Sequence, residues 1–368
     1  MPGNGTPAEG NNAQKHWNLL ASKSRRNRRV KDASLFAFLI AASIPIIIPY
    51  FWLLTLAFSA GREGVDTRVL WPSIFILVPA VVLTWVWATI ADTRRRAMTG
   101  WGVIWAVAIA VYAIFLGPEL HLYNFRFLLN PDFNAAYTDI VAAKDNPGFS
   151  VTSFPSVWTA FWNSLFIAGV STVIVIFAAS LAGYYISRFQ YRFRETSLAA
   201  MLVLHAFPTT VLLIPIFLVI WKIGLLDTLF GIVLVIVGIE LPFAVFIMKG
   251  FFDAVPWEIE MSALTDGATR RQAFYKVVLP QVTNGMIAVS VFVFIRGWEE
   301  FIFVLTLLAT NAKWTMSLYT FFVTEETNLG IDYGVVSAVA VFYIMPSFLL
   351  YTIAQKYLLQ MSVGGIKG

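Results

Sequence analysis

Long windows without charged side chains are the feature of this sequence that most restricts its fold. Each of them is longer than the stretch of about 20 apolar residues that a helix needs to cross a bilayer, although two are interrupted by a few charged residues. The windows cover residues 33–61, 69–91, 97–118, 158–187, 196–221, 228–248, 282–308 and 333–355. The sequence therefore predicts an all-α polytopic membrane protein with about eight transmembrane helices.

The composition excludes other broad classes of protein. The chain is 58% hydrophobic and 13% charged, whereas soluble domains carry about 25% charged residues because their surface faces water. A soluble enzyme or a nucleic-acid-binding protein is excluded as the main interpretation, although the net charge is +5. Cysteine is absent and the three histidines are scattered, so neither disulfides nor a metal site is expected.

Positive residues indicate the orientation of the spans, because short cytoplasmic loops are enriched in Lys and Arg. If the eight spans cross the membrane in alternate directions, most basic residues lie in segments on the same side as the basic N-terminal segment. We therefore expect both termini in the cytoplasm. The expected segments are a basic tail at 1–32, three N-terminal helices in 33–118, an outer loop at 119–157, a core at 158–355 containing a cytoplasmic loop at 253–280, and a C-terminal tail at 356–368.

The cytoplasmic loop at 253–280 has the pattern of a compact helix pair. Pro256 suits the first turn of a helix that runs to about Leu264, and glycine in Asp266-Gly267 permits a sharp turn. Thr269 and Gln272 have the spacing of a capping box, which predicts a second helix at 272–279 that Pro280 ends. A rigid helix pair of this kind suits a groove on a partner protein.

The same loop resembles the docking loop of ABC importer permeases, which has the form E-A-A-x3-G-x9-I-x-L-P. Gly267, Val277, Leu279 and Pro280 match its spacing. Met261-Ser262-Ala263 stands where the family has Glu-Ala-Ala, and Glu260 matches an acidic position that often precedes that triplet. Either Glu260 supplies the acidic contact or the partner carries it. An amphipathic hairpin lying in the membrane interface is the alternative interpretation.

The resemblance implies a set of residues that contact the ATP-hydrolysing subunit. They are Glu258, Glu260, Met261, Ser262, Ala263, Asp266, Gly267, Ala268, Leu279 and Pro280.

Other segments resemble the carbohydrate-uptake branch of this family, the maltose-permease MalG-like subunits. Residues 183–189 are similar to the end of a family span, 241–252 to the stretch that leads into the docking loop, and the terminal Gly364-Gly365-Ile366-Lys367-Gly368 to the family's tail. The resemblance covers about 36–60 and 155–368. The extra hairpin at 69–118 departs from the six-span form, and only additional packing or lipid contact is expected of it.

The resemblance implies a permease subunit of a binding-protein-dependent importer in the bacterial plasma (inner) membrane. The cargo would be a carbohydrate: a sugar, oligosaccharide, glycoside or polyol. The implied partners are a second permease subunit that forms a heterodimer, two ATP-binding subunits, an extracytoplasmic substrate-binding protein and membrane lipid, with no nucleic acid. No catalytic residue and no bound cofactor are expected, since the phosphate-binding motif G-x-x-x-x-G-K-[ST] is absent; ATP and Mg would bind the partner ATPases.

Ionisable residues within spans are candidates for the substrate path, because burying them in a membrane is costly. The candidates are Trp298, Glu299, Glu300, Arg296 and Glu240. Arg296 and Glu300 have the i,i+4 spacing of a pair on one helix face, and a carboxylate beside Trp298 suits a sugar. An internal ion pair that fastens the bundle is the alternative, and an ion- or proton-coupled secondary transporter is the second functional hypothesis.

Two further predictions concern His205 and the outer loop near residue 325. A lone histidine in a span favours a hydrogen-bonded helix contact over a proton relay. The resemblance implies that Glu325, Glu326 and Asn328 contact the binding protein.

Overall fold

The computed structural model describes residues 48–59, 67–90, 94–129, 155–325 and 333–364, with the isolated positions Leu35, Phe38 and Ala42. The predicted tail at 1–32, most of the first predicted span and the end of the C-terminal tail at 365–368 lie outside the described residues. So does most of the first outer loop. In chain order the helices are α1 Ile48–Phe58, α2 Thr67–Ile90, α3 Arg94–Leu116, α4 Val157–Arg188, α5 Arg194–His205, α6 Leu213–Lys222, α7 Leu229–Asp253, α8 Trp257–Thr265, α9 Arg270–Gln281, α10 Thr283–Glu299, α11 Ile302–Leu307, α12 Met316–Glu325 and α13 Tyr333–Gly364.

The all-α polytopic membrane fold is confirmed. Within the described ranges there is no β-strand, and four helices are long and apolar enough to cross a membrane, or five if the bent pair α9–α10 forms one span. The four are Met98–Glu119 and the helices beginning at Val157, Leu229 and Tyr333. Apolar segments of α1, α2 and α6 are shorter, so the count of eight spans stays a prediction.

Two predicted spans are interrupted rather than continuous. The span expected at 196–221 is split into α5 and α6 by turns around Pro208, since proline lacks the N–H that would continue the helix. The span expected at 282–308 is split at Glu300, which adopts an extended conformation with ψ 121°. Because backbone groups exposed by such breaks need partners in a membrane, these segments are expected to face protein or water rather than lipid.

The centre of the bundle is α4, which packs along both α7 and α10. Small residues permit these close approaches. A Cβ added to Gly183 on α4 would lie 2.9 Å from the backbone nitrogen of Lys249, and one added to Gly297 on α10 would lie 2.9 Å from Ala168 Cα. The helix axes are therefore closer than any residue with a side chain allows at these positions.

Gly297→Ala is expected to destabilise the chain by about 1–3 kcal/mol, because its methyl group meets backbone that cannot move independently. Thermal unfolding of the detergent-purified chain measures the loss. Gly169→Ala is the matched control, since an added Cβ there meets nothing within 4 Å and alanine favours the helix. Equal melting temperatures for the two variants would contradict the close approach of α10 to α4.

The N-terminal hairpin packs mainly against itself. The Trp87 indole donates to Arg96 O at 3.0 Å and covers Gly100, whose added Cβ would overlap the ring. Its outward side chains include Phe75 and Phe115, which are 72% and 71% exposed. Such exposure of large apolar groups suits contact with lipid, and the lipid contact of the hairpin stays a prediction.

Candidate functional site

The loop at 253–280 folds as the predicted helix-turn-helix. The first helix, α8, begins directly after Pro256 and ends at Thr265. Gly267 follows with φ +89°, a left-handed conformation that glycine adopts without steric cost. Thr269 and Gln272 form the predicted capping box, with Gln272 N donating to Thr269 Oγ1 at 3.3 Å and Thr269 N donating to Gln272 Oε1 at 2.8 Å. Local sequence chemistry therefore fixes the turn between the two helices.

The second helix ends at Gln281, one residue beyond the predicted end at Pro280. A π turn at Phe274–Val278 interrupts α9, and Pro280 then occupies the first turn of the following segment. A proline costs no internal hydrogen bond in that position. The chain continues into α10 with a bend of 72°. The helix pair at 253–280 is consequently joined to α10 through a single residue, Val282.

Glu260 is buried beneath the loop and not presented on its surface. The residue is 2% exposed. Its Oε2 lies 3.0 Å from Arg188 Nε, and its Oε1 accepts a hydrogen bond of 2.5 Å from the Tyr184 hydroxyl. Tyr184 and Arg188 are one turn apart at the C-terminal end of α4. In this geometry Glu260 fastens α8 to α4, which argues against the idea that it supplies the acidic contact to a partner.

Arg188 makes further contacts that hold the start of α8. Its Nη2 donates to Val255 O at 2.9 Å, and its guanidinium carbon lies 5.4 Å from the centre of the Trp257 ring. Tyr184 in turn packs on Phe274 of α9, with ring centres 4.6 Å apart. The same two side chains of α4 therefore support both helices of the loop.

The opposite side of α8 is exposed and partly apolar. Trp257 and Ile259 are 42% and 36% exposed, although the loop lies outside the apolar spans. Of the ten predicted contact residues, five are exposed, four are half-buried and one, Glu260, is buried. The exposed ones are Glu258, Ser262, Asp266, Gly267 and Pro280, and the half-buried ones are Met261, Ala263, Ala268 and Leu279. We call Glu258, Ile259, Ser262, Asp266 and Gly267 the docking face; Trp257, although partly exposed, lies against Arg188 of α4.

The predicted pair of Arg296 with Glu300 does not form. Arg296 Nε instead lies 3.1 Å from Glu240 Oε1 of α7, while Glu300 Oε1 accepts a hydrogen bond from Phe303 N at 3.0 Å. The helix breaks at Glu300, so the i,i+4 geometry that the pair requires is lost, and Glu300 caps α11. The Arg296–Glu240 ion pair joins α10 to α7. This corresponds to the alternative interpretation, in which an internal ion pair holds the helix bundle together.

Trp298 is part of the core and does not lie beside the carboxylates as expected. The side chain is 1% exposed, its indole donates to Tyr343 O at 3.1 Å, and it stacks between Phe294 and Tyr343. Its ring is therefore unavailable for stacking on a ligand. Arg296 and Glu299, by contrast, are exposed.

His205 makes the helix contact that the sequence favours. Its ring stacks on Phe243 with centres 4.7 Å apart and planes inclined by 7°, and Nδ1 lies 3.4 Å from Ile239 O. Of the predicted binding-protein contacts, Glu325 is the last residue of α12, and Glu326 and Asn328 lie outside the described residues.

A network around Asp227, missed by the sequence analysis, ties two loops together. Asp227 has φ +55°. Its carboxylate accepts hydrogen bonds from Ala309 N, Thr310 N and Thr310 Oγ1 at 3.0, 3.1 and 2.6 Å and lies 2.8 Å from Lys313 Nζ. Partial burial alone raises the pKa of Asp227, but the hydrogen bonds from Lys313 and Thr310 outweigh it and hold that pKa well below its usual range.

Asp227→Asn is expected to cost about 1 kcal/mol at neutral pH, a modest value because the Asp227–Lys313 pair is partly exposed and screened by solvent. Because the pKa of the Asp227 carboxyl is lower in the folded state than in the unfolded state, its ionised form stabilises the fold. This stabilisation is fully present above the usual carboxyl pKa of about 4 and is lost as the pH falls toward the pKa of the folded state. The melting-temperature difference from the parent should therefore shrink below about pH 4. Glu195→Gln, at an exposed carboxylate of α5, is the control. A difference that stays constant down to pH 3 would contradict the ionised network.

Comparisons with known proteins agree with this architecture. Residues 174–360 match the family described as binding-protein-dependent transport system inner membrane component. The chain is 28% identical over 260 residues to the inner membrane ABC transporter permease protein YcjP of Escherichia coli (strain K12), covering 65% of this chain and 91% of that protein. It is 30% identical over 211 residues to the trehalose transport system permease protein SugB of Mycobacterium tuberculosis (strain CDC 1551 / Oshkosh), covering 57% and 77%.

A solved structure also overlaps with most of the chain. It is the crystal structure of a bacterial ABC transporter involved in the import of the acidic polysaccharide alginate, with a TM-score of 0.47 and 20% identity over 73% of this chain and 99% of that chain.

Proposed function

Since the chain belongs to the family of binding-protein-dependent transport system inner membrane components, we propose that it is the permease subunit of an ABC importer for a carbohydrate. It is a multi-pass protein of the inner membrane. Relatives named for trehalose, diacetylchitobiose and sulfoquinovosyl glycerol transport support the carbohydrate class of the cargo. Nothing in these relationships supports the alternative of an ion-coupled secondary transporter.

The observation that carries the proposal is the rigid helix pair at 253–280. Buried contacts from α4 fix one side of it, its other side is an exposed docking face, and α9 runs directly into a helix of the bundle. A rigid-body push on the docking face is therefore transmitted to α10 without passing through a flexible loop. This geometry suits a permease that changes its access when ATP-hydrolysing partners close.

The proposed partners are inferred from the absence of a phosphate-binding motif in this chain and from its exposed docking face. Without a phosphate-binding motif, this chain is not an enzyme, and ATP and Mg bind two partner ATPases that contact the docking face from the cytoplasm, where both termini lie. A second permease subunit packs against this chain in the membrane to form a heterodimer. A substrate-binding protein delivers the sugar to the outer side, where Glu325, Glu326 and Asn328 contact it.

Reconstitution tests this function. The chain is co-expressed with a candidate second permease and ATPase, purified by a tag on this chain alone, and placed in proteoliposomes with the binding protein. We expect the ATPase to copurify and its ATP hydrolysis to rise with the transported member of a panel of sugars and polyols. Uptake that persists without any ATPase and collapses when the proton gradient is dissipated would overturn the proposal in favour of a secondary transporter.

A further inference from the structure

α10 has a face of exposed, charged side chains that bears on which cargo the protein can transport. Arg296 and Glu299 are three residues apart on this helix, so their side chains project from the same side, and both are exposed in this chain. The Arg296 side chain is 53% exposed even though it pairs with Glu240. Charged groups on a membrane-spanning helix are stable when they face protein or water, and costly when they face lipid.

The charges on this face do not balance. Glu240, whose side chain is 8% exposed, neutralises Arg296 at 3.1 Å. Glu300 is engaged at the start of α11. Across the part of the chain that the structure describes, no ion pair forms with Glu299. The helices that pack most extensively on α10 supply no free cation near Glu299: α4 has no Lys or Arg before Arg188, α13 has none before Lys356, and α7 has only Lys249, which pairs with Asp253 at the end of that helix.

We propose that this face lines the aqueous transport path and that Glu299 gives the path a negative potential. The path then admits neutral and cationic polyhydroxylated solutes, such as neutral sugars and amino sugars, and disfavours carboxylated, sulfonated or phosphorylated ones. The assignment rests on the proposed transport function, but it concerns the charge of the cargo and not the source of energy. A low-dielectric wall around the path strengthens the effect of a single charge.

The natural absence of cysteine permits a direct test by single-cysteine labelling of this chain in the assembled complex. Ile295→Cys lies one helical turn before Glu299 and is partly exposed. The probes are a cationic reagent, 2-(trimethylammonium)ethyl methanethiosulfonate, and an anionic one, 2-sulfonatoethyl methanethiosulfonate. Mass spectrometry of this chain measures the rate of modification by each.

The cationic reagent is expected to react about tenfold faster than the anionic one, after correction for their reactivity with a small thiol. In the Glu299→Gln background the two corrected rates should become equal, and Glu299→Asp should restore the preference. Phe292→Cys, 45% exposed on the same helix, serves as a second reporter where Ile295→Cys assembles poorly. Both reagents failing to modify either cysteine would overturn the proposal, because the face would then be covered by the second permease.

Two further outcomes separate charge selection from transport itself. A cationic preference that survives Glu299→Gln would assign the potential to another group and overturn the role of Glu299. In reconstituted importers, Glu299→Gln should raise uptake of the carboxylated form of the transported sugar, relative to the neutral form, by about tenfold; an unchanged ratio would also overturn it. The labelling needs no ATPase activity, so a failed reconstitution leaves the labelling result interpretable.

Discussion

Gly267→Trp is expected to abolish copurification of the ATP-hydrolysing partner with this chain. Gly267 has φ +89°, and its turn is closed by Gly267 N donating to Leu264 O at 3.1 Å and Ala268 N donating to Ala263 O at 3.0 Å. A residue with a Cβ in this conformation costs about 1–2 kcal/mol. Tryptophan adds a bulky side chain to an exposed position of the docking face, so the strain and the steric clash act together. We expect the ATPase recovered per permease to fall by more than about tenfold, the factor that 1.4 kcal/mol represents.

Two further variants separate backbone strain from steric exclusion. Asparagine tolerates a positive φ better than most other residues with a side chain. The Gly267→Asn variant is therefore expected to recover most of the ATPase that copurifies with the parent. Gly102→Trp places the same bulk on the N-terminal hairpin, where an added Cβ meets nothing within 4 Å, and should leave the complex intact. Normal recovery of the ATPase with Gly267→Trp would show that the turn between α8 and α9 lies outside the interface.

Features set by short-range chemistry could be predicted from the sequence. The left-handed turn at Gly267, the capping box at Thr269 and the start of α8 after Pro256 each depend on residues within one helical turn of each other. The all-α membrane fold follows from the length of the charge-free windows in the same way. Such features are determined by steric and hydrogen-bonding limits that operate whatever the rest of the chain does.

The partners of charged side chains on neighbouring helices could not be predicted in this way. Arg296 has Glu300 one turn away and Glu240 on another helix, and the preference for Glu240 depends on the packing of α7 against α10 and on the break at Glu300. The burial of Glu260 has the same origin. The position of Glu260 in the sequence matches an acidic position of the docking motif. Its contacts, however, are with Tyr184 and Arg188 of α4, which is distant in the sequence.

Breaks in helices mark a second limit of the sequence analysis. Pro208 lies within one predicted span and Pro280 at one predicted helix end; the helix breaks at the former, whereas it runs one residue past the latter before the 72° bend at Val282. Pro280 follows a π turn and stands in the first turn of the next segment, where its missing N–H costs no internal hydrogen bond. Hydropathy does not encode this hydrogen-bonding arrangement.

Removing one member of the Glu260–Arg188 pair is expected to detach the docking helices from α4. A buried charge left without its partner costs about 3–5 kcal/mol, and Arg188 also holds Val255 O and the Trp257 ring. Glu260→Ala should therefore accelerate backbone hydrogen exchange throughout 253–280 and reduce recovery of the ATPase. Tyr184→Phe removes only the 2.5 Å hydrogen bond and should have a smaller effect.

The double variant Arg188→Met with Glu260→Met distinguishes support of the loop from direct contact with the ATPase. Replacing both charges by apolar side chains leaves no unpaired buried charge, so it is expected to recover much of the stability that either single variant loses. Glu258→Gln is the matched control, because Glu258 is exposed on the docking face and its change should leave hydrogen exchange unaltered. If the double variant restored hydrogen exchange but not recovery of the ATPase, Glu260 or Arg188 would touch the partner directly. Joint recovery is the expected result, because both side chains are buried beneath the surface that the partner contacts.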